Sequence, residues 1–193
     1  ALAELHGSTR NVSFMMSTIK RQAASCIFGL APHIRDIINR RFTQLDEDFD
    51  HDYSEYNFDG HFSSIIEGLA QNLLELADNL PEEDPKFDNL LKVLRDKKEQ
   101  DNNKIIIFST FRFTLKYLHK KLEDAGFRVA QVDGSVKDVD RQNLRARFQL
   151  PKEDVDAIDI MLFSEVGSEG LDYQFCDMMV NYDLPWNPMR IEQ

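Results

Sequence analysis

The stretch from Ile158 to Gln193 decides the fold, and it reads IDIMLFSEVGSEGLDYQFCDMMVNYDLPWNPMRIEQ. It contains two short apolar runs, residues 158–163 and 178–182, each bounded by turn residues. Such runs are typical of strands that are buried inside a sheet. A polar loop with two glycines, residues 164–172, separates them. Because ligands of open α/β sheets lie beyond the carboxyl ends of the strands, we expect binding chemistry in this loop.

The glycine spacing in this loop allows two interpretations. Glycines let backbone amides approach a phosphate or a ribose closely, and Asp172 offers a carboxylate to sugar hydroxyls. Alternatively, the loop is only a tight connection whose glycines supply positive φ angles. A lone pair of glycines three residues apart does not separate the two interpretations.

Length and composition predict a soluble globular protein. The 193 residues, 42% hydrophobic and 30% charged, suffice for one compact domain with an appendage or for two small domains. No apolar run approaches the ~20 residues of a membrane span, and no signal peptide is recognisable. The two distant cysteines suit a reducing cytosol, and no metal-ligand spacing is present, so we expect no metal bound by this chain alone. We also expect a fragment of a longer protein, since the chain lacks an initial Met and stops where a helix should begin after Pro188.

Charge is distributed unevenly along the chain. The net charge of −11 argues against a uniformly basic nucleic-acid binder. Residues 104–147, however, carry ten Lys and Arg against five acids, which is compatible with a nucleic-acid-facing surface, although ordinary helices are often as basic. Residues 43–60 are acidic and interleaved with aromatics, which predicts a solvent-exposed irregular loop, with a partner-docking loop as the alternative.

The first part of the chain has helical periodicity. Residues 13–41 predict a helix in two pieces, interrupted at Gly29 and Pro32, with Pro32 in the first turn of the second piece. A further helix is predicted over 61–80, where Pro81 ends it.

From Asp84 onward the pattern changes. Asp84 and Pro85 predict an N-cap and a first helical residue, and short strands and helices then alternate. We predict strands over 104–108, 127–132, 158–163 and 178–182. Helices are predicted over 112–125, ended by Gly126, and over 139–148, with Leu144 and Phe148 inward and Arg141, Arg145 and Arg147 outward. This alternation predicts an α/β fold with a mostly parallel sheet flanked by helices on both faces, preceded by an all-helical segment.

Four segments occur in the order of a known module: KIIIFSTF at 104–111, VDGS at 132–135 with Arg141, SEVGSEGLD at 164–172, and NYDLPWNP at 181–188. Together they resemble the second RecA-like lobe of superfamily two helicases, in the SWI/SNF-type branch with its prokaryotic RapA-like members. The resemblance covers about residues 84–193. Residues 1–83 resemble, more loosely, the helical insertion that such proteins carry between their lobes.

The resemblance implies roles for individual residues. Contacts to the nucleic-acid backbone are implied for Ser109, Thr110, Phe111, Gly134, Arg141 and Ser164, and contacts to the ATP ribose for Gly170 and Asp172. Residues 186–188 match the linker into the final motif, whose arginines should follow Gln193; Arg190 does not match them. The Mg²⁺ ions that accompany ATP are held mainly by the first lobe of the family. Phosphoryl transfer needs these charges together, so we expect the chain to be inactive alone.

Three functions follow as hypotheses. The first is the second motor lobe of an ATP-driven translocase on double-stranded DNA. The second is an unwinding or RNA-directed helicase, and the third is a non-catalytic module that binds nucleic acid or protein. The implied partners are duplex DNA, the first RecA-like lobe of the same chain, and RNA polymerase or another DNA-acting enzyme, in the cytoplasm and at the nucleoid, with no membrane.

Overall fold

The computed structural model describes residues 17–39, 72, 74–76, 79–81, 83–164 and 173–183. The chain divides into two compact units, Ala1–Pro81 and Glu82–Gln193. The acidic 43–60 segment, most of the helix predicted over 61–80, and residues 165–172 and 184–193 lie outside the described residues.

The first unit is mainly helical where it is described. Residues 17–25 are helical, a 3-10 helix follows over Ile27–Gly29, and helix α1 spans Leu30–Asn39. The predicted two pieces are therefore present, but the helix breaks at Cys26, and Pro32 lies in the first turn of α1 as expected. Ile19 and Ile34 are buried, whereas Ile27, directly after the break, is 42% exposed.

The second unit begins with helix α2, Pro85–Lys98. Its start is fixed by Asp84, whose Oδ1 accepts hydrogen bonds from the amides of Lys86 and Phe87, both at 3.0 Å. This confirms the predicted N-cap with proline at the first helical position. The other carboxylate oxygen of Asp84 accepts from the Tyr117 hydroxyl at 2.7 Å, so the cap also ties α2 to the next helix.

Four strands form one parallel sheet in the order β2-β3-β1-β4. They are β1 Ile105–Phe108, β2 Val129–Val132, β3 Ile160–Phe163 and β4 Met178–Asn181. Each is shorter than its apolar run predicted. Strand β3 begins two residues later than predicted, and at its amino end the Ile158 carbonyl accepts from Lys104 Nζ and the Asp159 carboxylate accepts from Asn103 Nδ2.

Both faces of the sheet are buried, as the apolar runs predicted. On one face, Ile106, Val132, Met161 and Phe163 pack with Phe148 and Ile158. On the other, Ile105, Ile107, Ile160 and Leu162 have no exposed surface, since successive strand residues point to opposite sides. Strand β4 lies at the edge, and Met179 there is 63% exposed.

Two helices connect the strands. Helix α3 spans Arg112–Asp124 and packs against β2 and β3, and helix α4 spans Asp138–Gln149 and buries Phe148. Gly126 follows α3 with φ of +84°, a left-handed conformation that favours glycine, so the predicted C-terminal glycine is confirmed. No described helix is long and apolar enough to cross a membrane.

Candidate functional site

The carboxyl ends of the four strands form one edge of the sheet, here called the carboxyl edge. Backbone hydrogen bonds continue the pairing one residue past the strands: Ser109 N donates to Phe163 O at 3.1 Å, Ser164 N to Val132 O at 3.2 Å, and Tyr182 N to Phe108 O at 2.9 Å. Residues from four separate sequence segments are thereby brought into one row.

The β1 turn, Ser109–Thr110–Phe111, leaves the central strand at this edge. The Ser109 hydroxyl donates to Asp183 Oδ2 at 2.5 Å and accepts from the Phe111 amide at 3.2 Å, and the Thr110 amide donates to Asp183 Oδ1 at 2.9 Å. Ser109 and Phe111 are only 2% and 7% exposed, whereas Thr110 is half-buried. Thr110 is therefore the one member of the turn with substantial exposed surface.

The β2 turn, Asp133–Val136, leaves β2 at the same edge and contains the exposed Gly134. Asp133 Oδ1 accepts from the amide of Ser135 at 3.0 Å and from its hydroxyl at 2.5 Å, and Oδ2 accepts from Gln131 Nε2 at 3.0 Å. Burial alone would raise the pKa of Asp133, but these hydrogen bonds, with the charge of Arg112, outweigh it and lower that pKa. The carboxylate therefore stays ionised and keeps the turn rigid.

Arg141, on helix α4, binds the backbone of the β2 turn. Its Nε donates to the Val136 carbonyl at 2.9 Å, and an Nη donates to the Asp133 carbonyl at 3.2 Å. The resemblance implied a contact of Arg141 with the nucleic-acid backbone; in the structure two of its nitrogens donate to the carbonyls of the turn that holds Gly134.

Ser164 is half-buried at the end of β3, between the exits of β1 and β2. It begins the glycine loop, and the predicted ribose-binding residues Gly170 and Asp172 lie outside the described residues. The structure thus brings Ser109, Thr110, Phe111, Gly134, Arg141 and Ser164 to one edge of the sheet.

A polar network lies at the opposite, amino edge and is formed by Asn103, Lys104, Arg128 and Asp159. Asp159 is buried and accepts from Arg128 Nε at 3.0 Å and from Asn103 Nδ2 at 2.7 Å. Arg128 also donates to the carbonyl of Lys152 at 3.0 Å and to that of Asp154. These contacts fasten the 150–157 loop to the starts of β2 and β3.

Ionisation in this amino-edge network follows from its contacts. Burial would raise the pKa of Asp159, but hydrogen bonds and charge from Arg128 outweigh it and hold the pKa below its ordinary value. Burial lowers the pKa of Lys104, whose ammonium donates to the Ile158 carbonyl at 2.7 Å. Hydrogen bonding to Asp159 raises the pKa of Arg128.

The basic stretch 104–147, which is compatible with a nucleic-acid-facing surface or with ordinary basic helices, includes two residues of this network. Lys104 and Arg128 belong to that stretch, yet they are used inside the molecule at the amino edge. In α4, the Arg147 Nε donates to the Asp156 carbonyl at 3.0 Å, and the Arg145 guanidinium lies 5.7 Å from the Phe175 ring centre. Several basic residues of this stretch therefore make contacts within the fold, whereas Lys116, Lys120 and Lys137 are exposed.

Asp183 is the residue that sequence reasoning missed at the carboxyl edge. It was seen only as part of a family motif, although a carboxylate that directly follows a buried strand was a signal for a polar contact at this edge. Cys26 and Cys176 are both free, and the described residues include no group of three or more His, Cys, Asp or Glu that could hold a metal ion.

Comparison with known proteins finds a matching family model and several similar proteins. The family model "Helicase conserved C-terminal domain" matches residues 85–193. An uncharacterized ATP-dependent helicase, YqhH of Bacillus subtilis, is 37% identical over 48% of the chain, and the RNA polymerase-associated protein RapA of Sodalis glossinidius is 33% identical over 57%. The chain spans only 15% and 11% of the lengths of these two relatives.

Solved structures agree with the fold. The C-terminal part of the Fun30 ATPase domain is 25% identical, with a TM-score of 0.52 over 82% of this chain and 54% of that one. The Hef helicase domain of Pyrococcus furiosus, at 20% identity and a TM-score of 0.53 over 90% of this chain and 34% of that one, supports the fold alone. The parallel sheet, the motifs at its carboxyl edge and the family match over 85–193 together show that the chain belongs to the helicase conserved C-terminal domain family, with RapA-like, SWI/SNF-type proteins among its relatives.

Proposed function

We propose that the chain is the second motor lobe of an ATP-dependent DNA translocase of the SWI/SNF type, stimulated by duplex DNA. The observation that carries this proposal is the row at the carboxyl edge. There the β1 turn, the β2 turn and Ser164 converge from three strands, although they are far apart in sequence. These segments bring hydroxyls, exposed turn backbone and an arginine to the edge at which open α/β sheets bind their ligands.

The proposed nucleic-acid contacts suit binding that does not depend on sequence. Backbone amides, hydroxyls and arginines bind phosphates without reading the bases, and they fix the register of a protein on its duplex. Thr110, Gly134 and Ser164 are exposed or half-buried, as is Arg141, whose guanidinium binds the β2 turn. In this proposal the first three face the phosphates, while the buried Ser109 and Phe111 and the turn-binding Arg141 hold them in place.

The nucleotide is proposed to be ATP, with its ribose at Gly170 and Asp172. The described end of β3 leads directly into the segment that contains these two residues, and it leaves the sheet at the carboxyl edge, where nucleotides bind to open α/β sheets. Following the resemblance to the family, the proposal assigns the accompanying Mg²⁺ mainly to the first RecA-like lobe. There it would neutralise charge on the transferred phosphoryl group.

The partners follow from the same proposal. Duplex DNA and the first lobe are required for a motor, and the relative RapA is an RNA polymerase-associated protein by name. A DNA-acting enzyme such as RNA polymerase is therefore the proposed protein partner, in the cytoplasm.

The test is ATP hydrolysis by the full-length protein with duplex DNA, single-stranded DNA, RNA or no nucleic acid. Wild type is compared with Asp172→Ala, and Asp156→Ala serves as the control, because Asp156 is an exposed acid at the amino edge. We expect duplex DNA to stimulate hydrolysis, and Asp172→Ala to raise KM for ATP by roughly tenfold through loss of charged hydrogen bonds to the ribose.

Each result separates the hypotheses. Stimulation by RNA or by single strands in preference to duplex would replace the translocase with an RNA-directed or unwinding helicase. Robust hydrolysis unaffected by Asp172→Ala would keep the motor and remove the ribose assignment. No hydrolysis with any nucleic acid would leave the non-catalytic interaction module.

A further inference from the structure

Asp183 makes a bidentate contact that joins the ends of two neighbouring strands. It lies two residues after β4, and its two carboxylate oxygens accept from the Ser109 hydroxyl at 2.5 Å and the Thr110 amide at 2.9 Å. Its partners lie 74 and 73 residues earlier in the chain, directly after β1. Hydrogen bonds to a carboxylate are stronger than neutral ones, and two together also fix orientation.

The contact extends through Ser109 to the next residue. The Ser109 hydroxyl donates a hydrogen bond to Asp183 and accepts one from the Phe111 amide at 3.2 Å. Three consecutive residues of the β1 turn are thus held by one carboxylate, two of them directly and the third through the hydroxyl. Helix α3 begins immediately after the turn, so its start is fixed by the same contacts.

We propose that Asp183 is a positioning residue for nucleic-acid binding: it holds the β1 turn so that the half-exposed Thr110 meets the phosphate backbone. The inference rests on the proposed function, because it concerns how the proposed nucleic-acid contact surface is held in position. It also changes the role of Ser109, for which the family resemblance implied a contact to nucleic acid. In this proposal Ser109 does not touch the nucleic acid and acts through its hydrogen bonds to Asp183 and to the turn backbone. A binding group that is displaced slightly from its proper position loses much of its effect. Loss of the Asp183 carboxylate should therefore weaken DNA binding, although Asp183 itself does not touch the DNA.

The test uses duplex-stimulated ATP hydrolysis by the full-length protein. Asp183→Asn keeps an acceptor for the Thr110 amide but presents an amide NH₂ where the oxygen accepted from Ser109. We expect the DNA concentration for half-maximal stimulation to rise about 5–10-fold, as for loss of one charge-assisted hydrogen bond, while KM for ATP changes less than about twofold. A merely structural residue would change both values together or neither.

The matched control is Asp177→Asn. Asp177 directly precedes the same strand, β4, and pairs with Lys97 Nζ at 2.7 Å, so the same substitution is made at the opposite end of the strand. It should leave the DNA concentration for half-maximal stimulation within about twofold of wild type, since a partly exposed pair contributes little.

Ser109→Ala tests whether Asp183 acts on DNA binding through the Ser109 hydroxyl. This variant remains informative if Asp183→Asn does not fold. Alone it should raise the DNA concentration for half-maximal stimulation, and combined with Asp183→Asn it should add little, because both changes break one chain of hydrogen bonds. Additive effects would mean that Ser109 acts on DNA independently and would overturn the inference.

Two other results would also overturn it. An unchanged DNA dependence in Asp183→Asn, with wild type still stimulated, removes the inference and leaves the proposed function intact. A wild type that no nucleic acid stimulates removes both.

Discussion

At the scale of single residues, the pair Arg128–Asp159 shows how a charged contact stabilises this fold. The Asp159 side chain is 3% exposed and that of Arg128 is 34% exposed, so the carboxylate is buried while its partner still reaches water. Breaking a fully buried pair costs roughly 3–5 kcal/mol. Because water can replace some of the contacts of Arg128, we expect Asp159→Asn to lower the free energy of unfolding by about 2 kcal/mol, measured by urea denaturation.

The same substitution should change the pH dependence of stability. The pKa of Asp159 is lower in the folded state than in the unfolded state. Its stabilisation is therefore fully present above the unfolded pKa, about 3.9, and is lost as pH falls through the folded pKa. Asp159→Asn should flatten this acid limb, whereas Asp156→Asn, at an exposed residue of the same edge, should leave it unchanged. An acid limb identical in wild type and Asp159→Asn would contradict the assignment.

At the scale of secondary-structure elements, Asp84 determines where α2 begins and how it meets α3. One oxygen caps two amides of α2, and the other accepts from Tyr117, whose ring lies 6.2 Å from that of Phe87 in an edge-on contact. Asp84→Ala removes the cap and leaves the Tyr117 hydroxyl without this acceptor. We expect a loss of about 2 kcal/mol in the free energy of unfolding.

Asp84→Asn is the matched variant, because asparagine caps helices as well as aspartate does and its amide can still contact the Tyr117 hydroxyl. It should cost less than about 1 kcal/mol, and Tyr117→Phe should cost about 1 kcal/mol. Equal losses for Asp84→Ala and Asp84→Asn in urea denaturation would show that the charge, and not the cap, stabilises this junction.

At the scale of the whole molecule, the predictability of each feature depends on how local its cause is. The apolar run at 105–108, the Asp84–Pro85 start and the Gly126 end are set by neighbouring residues, and the sequence predicted them to within one or two positions. The parallel sheet followed because alternating strands and helices have few other arrangements. By contrast, Arg128 and Asp159 are 31 residues apart, and Asp183 is 74 from Ser109. Side-chain pairing at such separations is fixed only by tertiary structure, which is why neither contact could be predicted from the sequence.

In the proposed function, the groups that catalyse ATP hydrolysis are divided between two lobes, and this predicts how the chain behaves alone. Phosphoryl transfer is catalysed by charges assembled around the phosphates, namely Mg²⁺, a lysine and arginines. The carboxyl edge, as far as it is described, offers hydroxyls, backbone amides and one turn-binding arginine, and in the proposed function the Mg²⁺ and the lysine belong mainly to the first lobe. We therefore expect the 193-residue chain alone to release no phosphate above background, with or without duplex DNA, at concentrations where the full-length protein is active. Circular dichroism should show that the chain is folded in that assay. Turnover by the folded chain that Asp172→Ala abolishes would contradict this expectation, because it would mean that one lobe holds a complete phosphoryl-transfer centre.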